Sequence, residues 1–177
     1  KDRVFGGGSA VGGWDHLKVL MAAKEYGISN VRKIKYVSFD GGGDAVTQLL
    51  AGNVQIFTGD VSEIKGFVDA GDIKIIAVLS PDRLPGDFSK FYTAKEQGVN
   101  VVGANWRGFY VPKGMSDEAY NFWAGAIKKM YDTPQWKKTM AKNGLAPLDL
   151  SGKAFEGFVS NSVASIKTIS KQIGIIK

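Results

Sequence analysis

The sequence predicts an α/β fold, a parallel-rich sheet flanked by helices, with a helical C-terminal segment added to it. Three observations carry that reading. Short apolar stretches alternate with amphipathic ones between residues 3 and 79, joined by turns of a few residues. Such alternation implies parallel strands linked by right-handed helical crossovers. Glycine clusters stand at two equivalent strand-to-helix turns, GGGSAVGG at 6–13 and DGGGD at 40–44. After Pro112 the texture becomes helical throughout.

Taken in order, Arg3 to Phe5 reads as the end of a strand. Gly13 to Tyr26 reads as a helix, with Trp14, Leu17, Leu20 and Met21 on one side and Gly27 ending it. Lys33 to Phe39 alternates polar and apolar residues as a strand does. Asp44 to Ala51 is a short helix closed by Gly52, and Val54 to Phe57 a third strand. Val61 to Ala70 is a third helix closed by Gly71. Ile73 to Leu79 is nearly continuous in apolar residues, as buried parallel strands are. Ser80 to Gly86 is a loop, Thr93 to Gln97 a short helix, and Val99 to Val111 one long extended segment or two short ones. Ser116 caps a helix through Tyr131, with Tyr120, Trp123, Ile127 and Met130 at helical spacing. Thr133 caps a second, with Pro134 at its favoured first position and Asn143-Gly144 at its end. Leu148 to Leu150 is a brief strand. Ser151 caps a last helix bearing Phe155, Phe158, Ile166, Ile169 and Ile173. Apolar stripes of this kind normally bury themselves, so these helices need a covering surface.

Composition narrows the function. The 177 residues are 44% hydrophobic with a mean hydropathy of -0.08, as in ordinary globular proteins. No run approaches the ~20 apolar residues that span a bilayer. There is no cysteine, which excludes disulfides, thiolate catalysis and cysteine metal sites. The net charge of +6 lies mostly beyond residue 110, as dispersed lysines on the C-terminal helices. Nothing there matches a nucleic-acid-binding motif, and a solvated helix surface accounts for it.

The glycine turns point to an anion. Each places small residues at the C-terminal end of a strand, where open α/β sheets bind ligands. Each is followed by a helix start, with free N–H groups and a partial positive charge. A carboxylate or phosphate lodges there without a cationic side chain. Known phosphate motifs fit badly. Gly6 and Gly8 lead to Val11, Gly41 and Gly43 to Val46, and Gly13 to Trp14-Asp15, where those motifs need a third glycine or a Lys-Ser/Thr pair. His16, the one histidine, falls in the first turn of a helix and lacks a partner for catalysis. Asp40, Asp44, Asp60 and Glu63 lie near the same edge but occupy N-cap or first-turn positions, which acids favour for structural reasons. No metal or cofactor is expected, and no serine sits in a nucleophile elbow.

Four segments in this order, GGGSAVGGWDHL, YVSFDGGGDAVTQLLAGNVQ, IIAVLSPDRLPG and YTAKEQGVNVVGANWRGFYVPKG, resemble the substrate-binding receptors of tripartite tricarboxylate transporters, the TctC or Bug family. The likeness runs from about Phe5 to Ile173. It implies two α/β domains similar to type II periplasmic binding proteins. It also implies a periplasmic, non-enzymatic receptor, monomeric when intact and without cofactors. Such a receptor traps a small carboxylate, of the citrate, tricarboxylate or dicarboxylate kind, and passes it to membrane permease subunits. By position, the resemblance assigns Ser9, Gly12 and Gly13 to one ligand loop and Phe39, Asp40, Gly41, Gly42 and Gly43 to the next. Thr58 and Gly59 end the third strand at the same edge. Trp106, Arg107 and Gly108 fall where the chain returns toward the first domain, and are read as hinge or inter-domain packing. Many relatives carry glycine where Ala10 stands and serine or threonine at Gly13, so this pocket lacks one hydroxyl.

On this resemblance residues 1–105 form the second domain, 106–115 the crossover or hinge, and 116–177 the C-terminal part of a first domain. The segment that precedes Lys1 in relatives is missing, so the chain is expected to be a fragment with exposed apolar surface on the 116–173 helices. The effector-binding domain of a transcriptional regulator, which shares the architecture, is the competing reading.

Overall fold

The structure, a computed structural model, describes residues 3–176; Lys1, Asp2 and Lys177, at the ends of the expected domains, lie outside them. Strand β1 (Val4–Gly7) runs between β2 (Lys35–Ser38) and β3 (Ile56–Phe57), parallel to both. Val4 stands opposite Lys35 and Gly7 opposite Ser38, while Phe5 faces Ile56 and Gly6 faces Phe57. Parallel neighbours cannot be joined by hairpins. The links accordingly carry α1 (Trp14–Glu25) and α2 (Gly42–Leu50), and α3 (Val61–Ala70) follows β3. The C-terminal helices are α4 (Asp117–Asp132), α5 (Pro134–Lys142) and α6 (Gly152–Gln172).

The inner face of α1 makes the main core. Leu17 and Leu20 pack with Val31 and with Ile173 from the end of α6, and Trp14, Ile34, Ile169 and Ile175 surround them. The last turn of the last helix therefore closes over the first. Arg32 reinforces the closure by donating to the Gly174 carbonyl at 2.6 Å. Gly6 lets the chain pack tightly beneath the sheet, since a methyl there would lie 3.0 Å from Val54 and 3.1 Å from Phe39.

Several expected elements differ. Residues 73–79 form no regular strand: Val78 alone bridges to Thr93, receiving the Ala94 N–H at 2.9 Å and donating to Tyr92 at 3.0 Å. A strand exists only with a ladder partner, and among the described residues nothing pairs with 73–77. Residues 148–150 stay irregular for the same reason, with Leu148 and Leu150 exposed. The expected strand at 33–39 begins as a 3-10 turn over Val31–Lys33. The expected strand at 54–57 is regular only at its last two residues, and the short helix near 93–97 is a 3-10 turn at Lys95–Gln97. The stretch 99–111 has no regular ladder. Ser116 and Thr133 cap their helices as expected, accepting from Ala119 at 3.3 Å and Trp136 at 3.2 Å. Ser151 holds the N-cap position of α6, but its hydroxyl makes no capping bond. The apolar stripe of α4 buries no residue, and Trp123 is 53% exposed.

Candidate functional site

Because the three strands are parallel, their C-terminal ends open on one edge, and the loops there touch. A methyl on Gly8 would lie 2.5 Å from the Gly42 nitrogen and 2.6 Å from the Gly41 carbonyl carbon. The loop after β1 thus rests directly on the backbone at the start of α2. A methyl on Gly7 would lie 2.8 Å from the Thr58 oxygen and 2.6 Å from the Tyr36 hydroxyl. The residues singled out as two glycine turns and a third strand end are brought together at this edge.

Their amides are not equally available. The first loop folds onto itself: Ser9 Oγ accepts the Asp15 N–H at 3.0 Å, Ala10 accepts the Gly13 N–H at 2.8 Å, and His16 Nδ1 accepts the Gly12 N–H at 3.0 Å. Tyr36 fixes the loop from the sheet by donating its hydroxyl to the Ser9 carbonyl at 2.8 Å. Burial raises the Tyr36 phenol and the Asp15 charge adds to that, while bonds to Ser9 pull the other way. His16 is buried, its ring lies 4.6 Å from Tyr36, and burial lowers its pKa below the ordinary 6.5. An accepting Nδ1 requires the neutral ring, with its proton on Nε2, so this histidine shapes the loop.

At α3 the N-cap amide is taken, since Glu63 Oε2 accepts the Asp60 N–H at 3.0 Å, the reciprocal half of a capping box. Helix α2 has no such box. Ala45 is the first of its residues to find an acceptor, Gly41 O at 3.2 Å. The amides of Gly42, Gly43 and Asp44 have none among the described residues, and no side chain caps the helix. The Glu63 carboxyl group lies against Gly42 and Gly59, where any Cβ would displace it. Phe39 covers Gly6, and Asp40 is exposed beside a hollow shared with Asp44, Thr47 and Gln48.

Charged groups gather one step behind this edge. Lys18 is 3% exposed and ion-paired to Asp15 at 2.8 Å. Asp60 accepts from Asn105 Nδ2 at 3.2 and 3.1 Å and from Arg107. Burial alone would raise the Asp60 carboxyl. The bonds from Arg107 and Asn105, with the charges of Arg107 and Lys18, outweigh it and hold the group below its ordinary value. The four acids noted in the sequence therefore do not converge: Asp60 turns to Arg107 while Glu63 folds back on the Asp60 amide. Beyond Arg107, Trp106 makes edge contacts with Phe155 and Phe158 at ring distances of 5.7 and 5.5 Å, and Gly108 abuts Phe155.

A cavity of about 1440 Å³ adjoins this edge at Thr58 and Gly59. It opens between residues 73–79, the crossover and helices α4 to α6, and includes Thr58, Gly59, Trp106, Arg107 and Gly108 but neither glycine loop. Its wall is largely aliphatic and aromatic, and the buried Trp136 Nε1 beside it has no acceptor among the described residues. Sequence reasoning missed Tyr36 and Lys18. Tyr36 was reachable from its period-two place in the strand, whereas a buried lysine leaves no mark in a helix pattern.

Comparison with known proteins agrees with this architecture. A curated protein of Cupriavidus necator, described as a UPF0065 protein in the gbd 5' region, is 23% identical over 162 residues, covering 92% of this chain and 48% of its own. Among solved structures, R. palustris Rpa4515 with adipate superposes with a TM-score of 0.87 at 22% identity, over 98% of this chain and 56% of that one. The periplasmic binding protein BugD superposes at 0.83 and 19% identity, over 97% and 56%. The fold is thus that of periplasmic binding proteins, and the chain spans about half the length of the relatives it matches. The family description "Tripartite tricarboxylate transporter family receptor" (TctC) fits residues 5–175, nearly every position, and the chain belongs to that family.

Proposed function

We propose that this chain supplies one wall of a periplasmic receptor that captures a small carboxylate and hands it to the permease of a tripartite tricarboxylate-type transporter. The observation that carries the reading is the set of free amides at Gly42, Gly43 and Asp44, the first of them held against the Gly8 backbone at the sheet edge. Uncapped helix amides favour a carboxylate oxygen without a cationic clamp. In this reading Gly41, Gly42, Gly43 and Phe39 form the contact surface, with Asp40 at its rim and Thr58 and Gly59 at its floor. Ser9, Gly12 and Gly13 serve as the rigid support. Residues 1–105 make the ligand-bearing domain, 106–115 the hinge with Trp106, Arg107 and Gly108, and 116–177 the part belonging to the other domain. Adipate in a relative of the same fold favours a di- or tricarboxylate. No feature of the site favours the regulator reading or a catalytic one.

One wall alone binds weakly, at about 1 mM or above, roughly 4 kcal/mol. Two-dimensional NMR of the chain titrated with adipate, citrate and ATP reads such affinities. The Gly42, Gly43 and Asp44 amides are expected to shift with adipate or citrate and to stay still with ATP. Movement with ATP alone, or none with either carboxylate, overturns the proposal.

A further inference from the structure

The crossover hangs by one polar tether. Gly103 donates to Leu79 at 2.8 Å, and the next backbone bond is Met115 to Pro112 at 3.2 Å. Between them, among the described residues, the hydrogen bonds of 104–111 all run to the Asp60 carboxylate, from Asn105 and Arg107. The Asp60 side chain is 16% exposed, Arg107 60%. An exposed ion pair contributes little, but a mostly buried carboxylate taking bonds from two side chains is a charge-assisted anchor. Asp60 also sits where the parts meet. Its own backbone leads from Gly59 into α3, Lys18 of α1 faces it, and Thr58 Oγ1 donates to the Asp15 carbonyl at 3.3 Å. On the far side Arg107 adjoins Trp106, wedged against α6.

We propose that Asp60 is a positioning residue: with Arg107 and Asn105 it forms a releasable clasp that fixes the crossover to the ligand edge. A shift of the Thr58–Asp60 turn is then passed through Arg107 and Trp106 to α6, and opening the clasp frees the crossover while leaving the sheet intact. The clasp rests on the receptor reading for its purpose, since a ligand at this edge is what would move the turn. Its existence is tested without ligand.

Backbone 15N relaxation of the whole chain compares wild type with Arg107→Gln, Arg107→Lys, Asp60→Asn and the Asp60→Asn/Arg107→Gln double variant. Arg107 is exposed, so Arg107→Gln keeps the fold even if Asp60→Asn does not. Order parameters across 104–111 are expected to fall from the rigid range, about 0.85, toward about 0.6 in Arg107→Gln, as a segment held by no backbone bond loses its side-chain tether. Arg107→Lys restores part of the order, the double variant adds little, and 35–38 is unchanged in all. A pH titration by NMR supplies the readout that simple packing would not move. The amides of 105–108 are expected to follow Asp60 as it protonates in the presence of Arg107, Lys18, Asp15 and Glu63, and to lose that transition in Asp60→Asn. Equal order parameters across 104–111 in wild type and Arg107→Gln, or 105–108 amides that do not sense Asp60, overturn the clasp. Failure of the 42–44 amides to sense adipate or citrate overturns the receptor reading and leaves the clasp standing.

Discussion

His16 shows how one side chain can hold a loop. Its neutral ring accepts the Gly12 amide, and burial keeps its pKa under 6.5. The unfolded chain, with the ordinary value, takes up the proton first as pH falls. Stability contributed by His16 is therefore full above about pH 6.5 and is lost as pH drops through the lower folded value. Urea melts between pH 7.5 and 5 are expected to show this fall, and His16→Asn to flatten it. Asp60, held below its ordinary 3.8, contributes a separate acid-side loss that begins only beneath that value. A slope between pH 7.5 and 5 that persists in His16→Asn would remove the histidine from its role.

At the level of elements, the three helix starts at the sheet edge look alike in sequence and differ in use. The parallel sheet, its crossovers and the glycine turns were all legible, because short strand-turn-helix units leave little choice of topology. Which amides stay free was not legible. It depends on Ser9 and His16 reaching back into their own loop and on Glu63 bending to Asp60, contacts that spacing does not reveal. The failed strand at 73–79 has a similar cause, since apolar sequence gives propensity and only a neighbour gives a ladder. The touching loops give a sharp contrast between two glycines. Gly8→Ala would press a methyl into the backbone at Gly41 and Gly42, a strain of about 1–3 kcal/mol. Gly43→Ala meets nothing within 4 Å and improves helix propensity by up to ~1 kcal/mol. Chemical denaturation is expected to place the two variants on opposite sides of wild type; equal midpoints would mean that the loops do not touch.

Across the whole molecule, the polar strand edge at the glycine loops gives way to an apolar cavity beside the C-terminal helices. The cavity wall continues onto exposed Phe109, Tyr110, Phe122 and Trp123, the last of these 53% accessible. Contiguous apolar surface on this scale is unusual for a free-standing domain. The native chain is expected to enhance ANS fluorescence at neutral pH without denaturant, and Phe122→Ser with Trp123→Ser to reduce it. No enhancement would mean that the helices cover this face in solution. The expectation of exposed apolar helices came from stripes that had no visible counterpart elsewhere in the sequence. That the end of α6 turns back to seal α1 could not be read there, because Ile173 continues the same stripe as Phe155 and Phe158.

The central place of β1 has one more effect. Its loop bears on α2 through Gly8 and on the turn after β3 through Gly7, so the wall we propose for a carboxylate is a socket cast in advance, with little slack to remove on binding. Recognition by such a surface loses little freedom on ordering. On that proposal discrimination among acids follows fit and charge against stationary amides, and the crossover, whose residues 104–111 are tied by side chains alone, is the segment left to move.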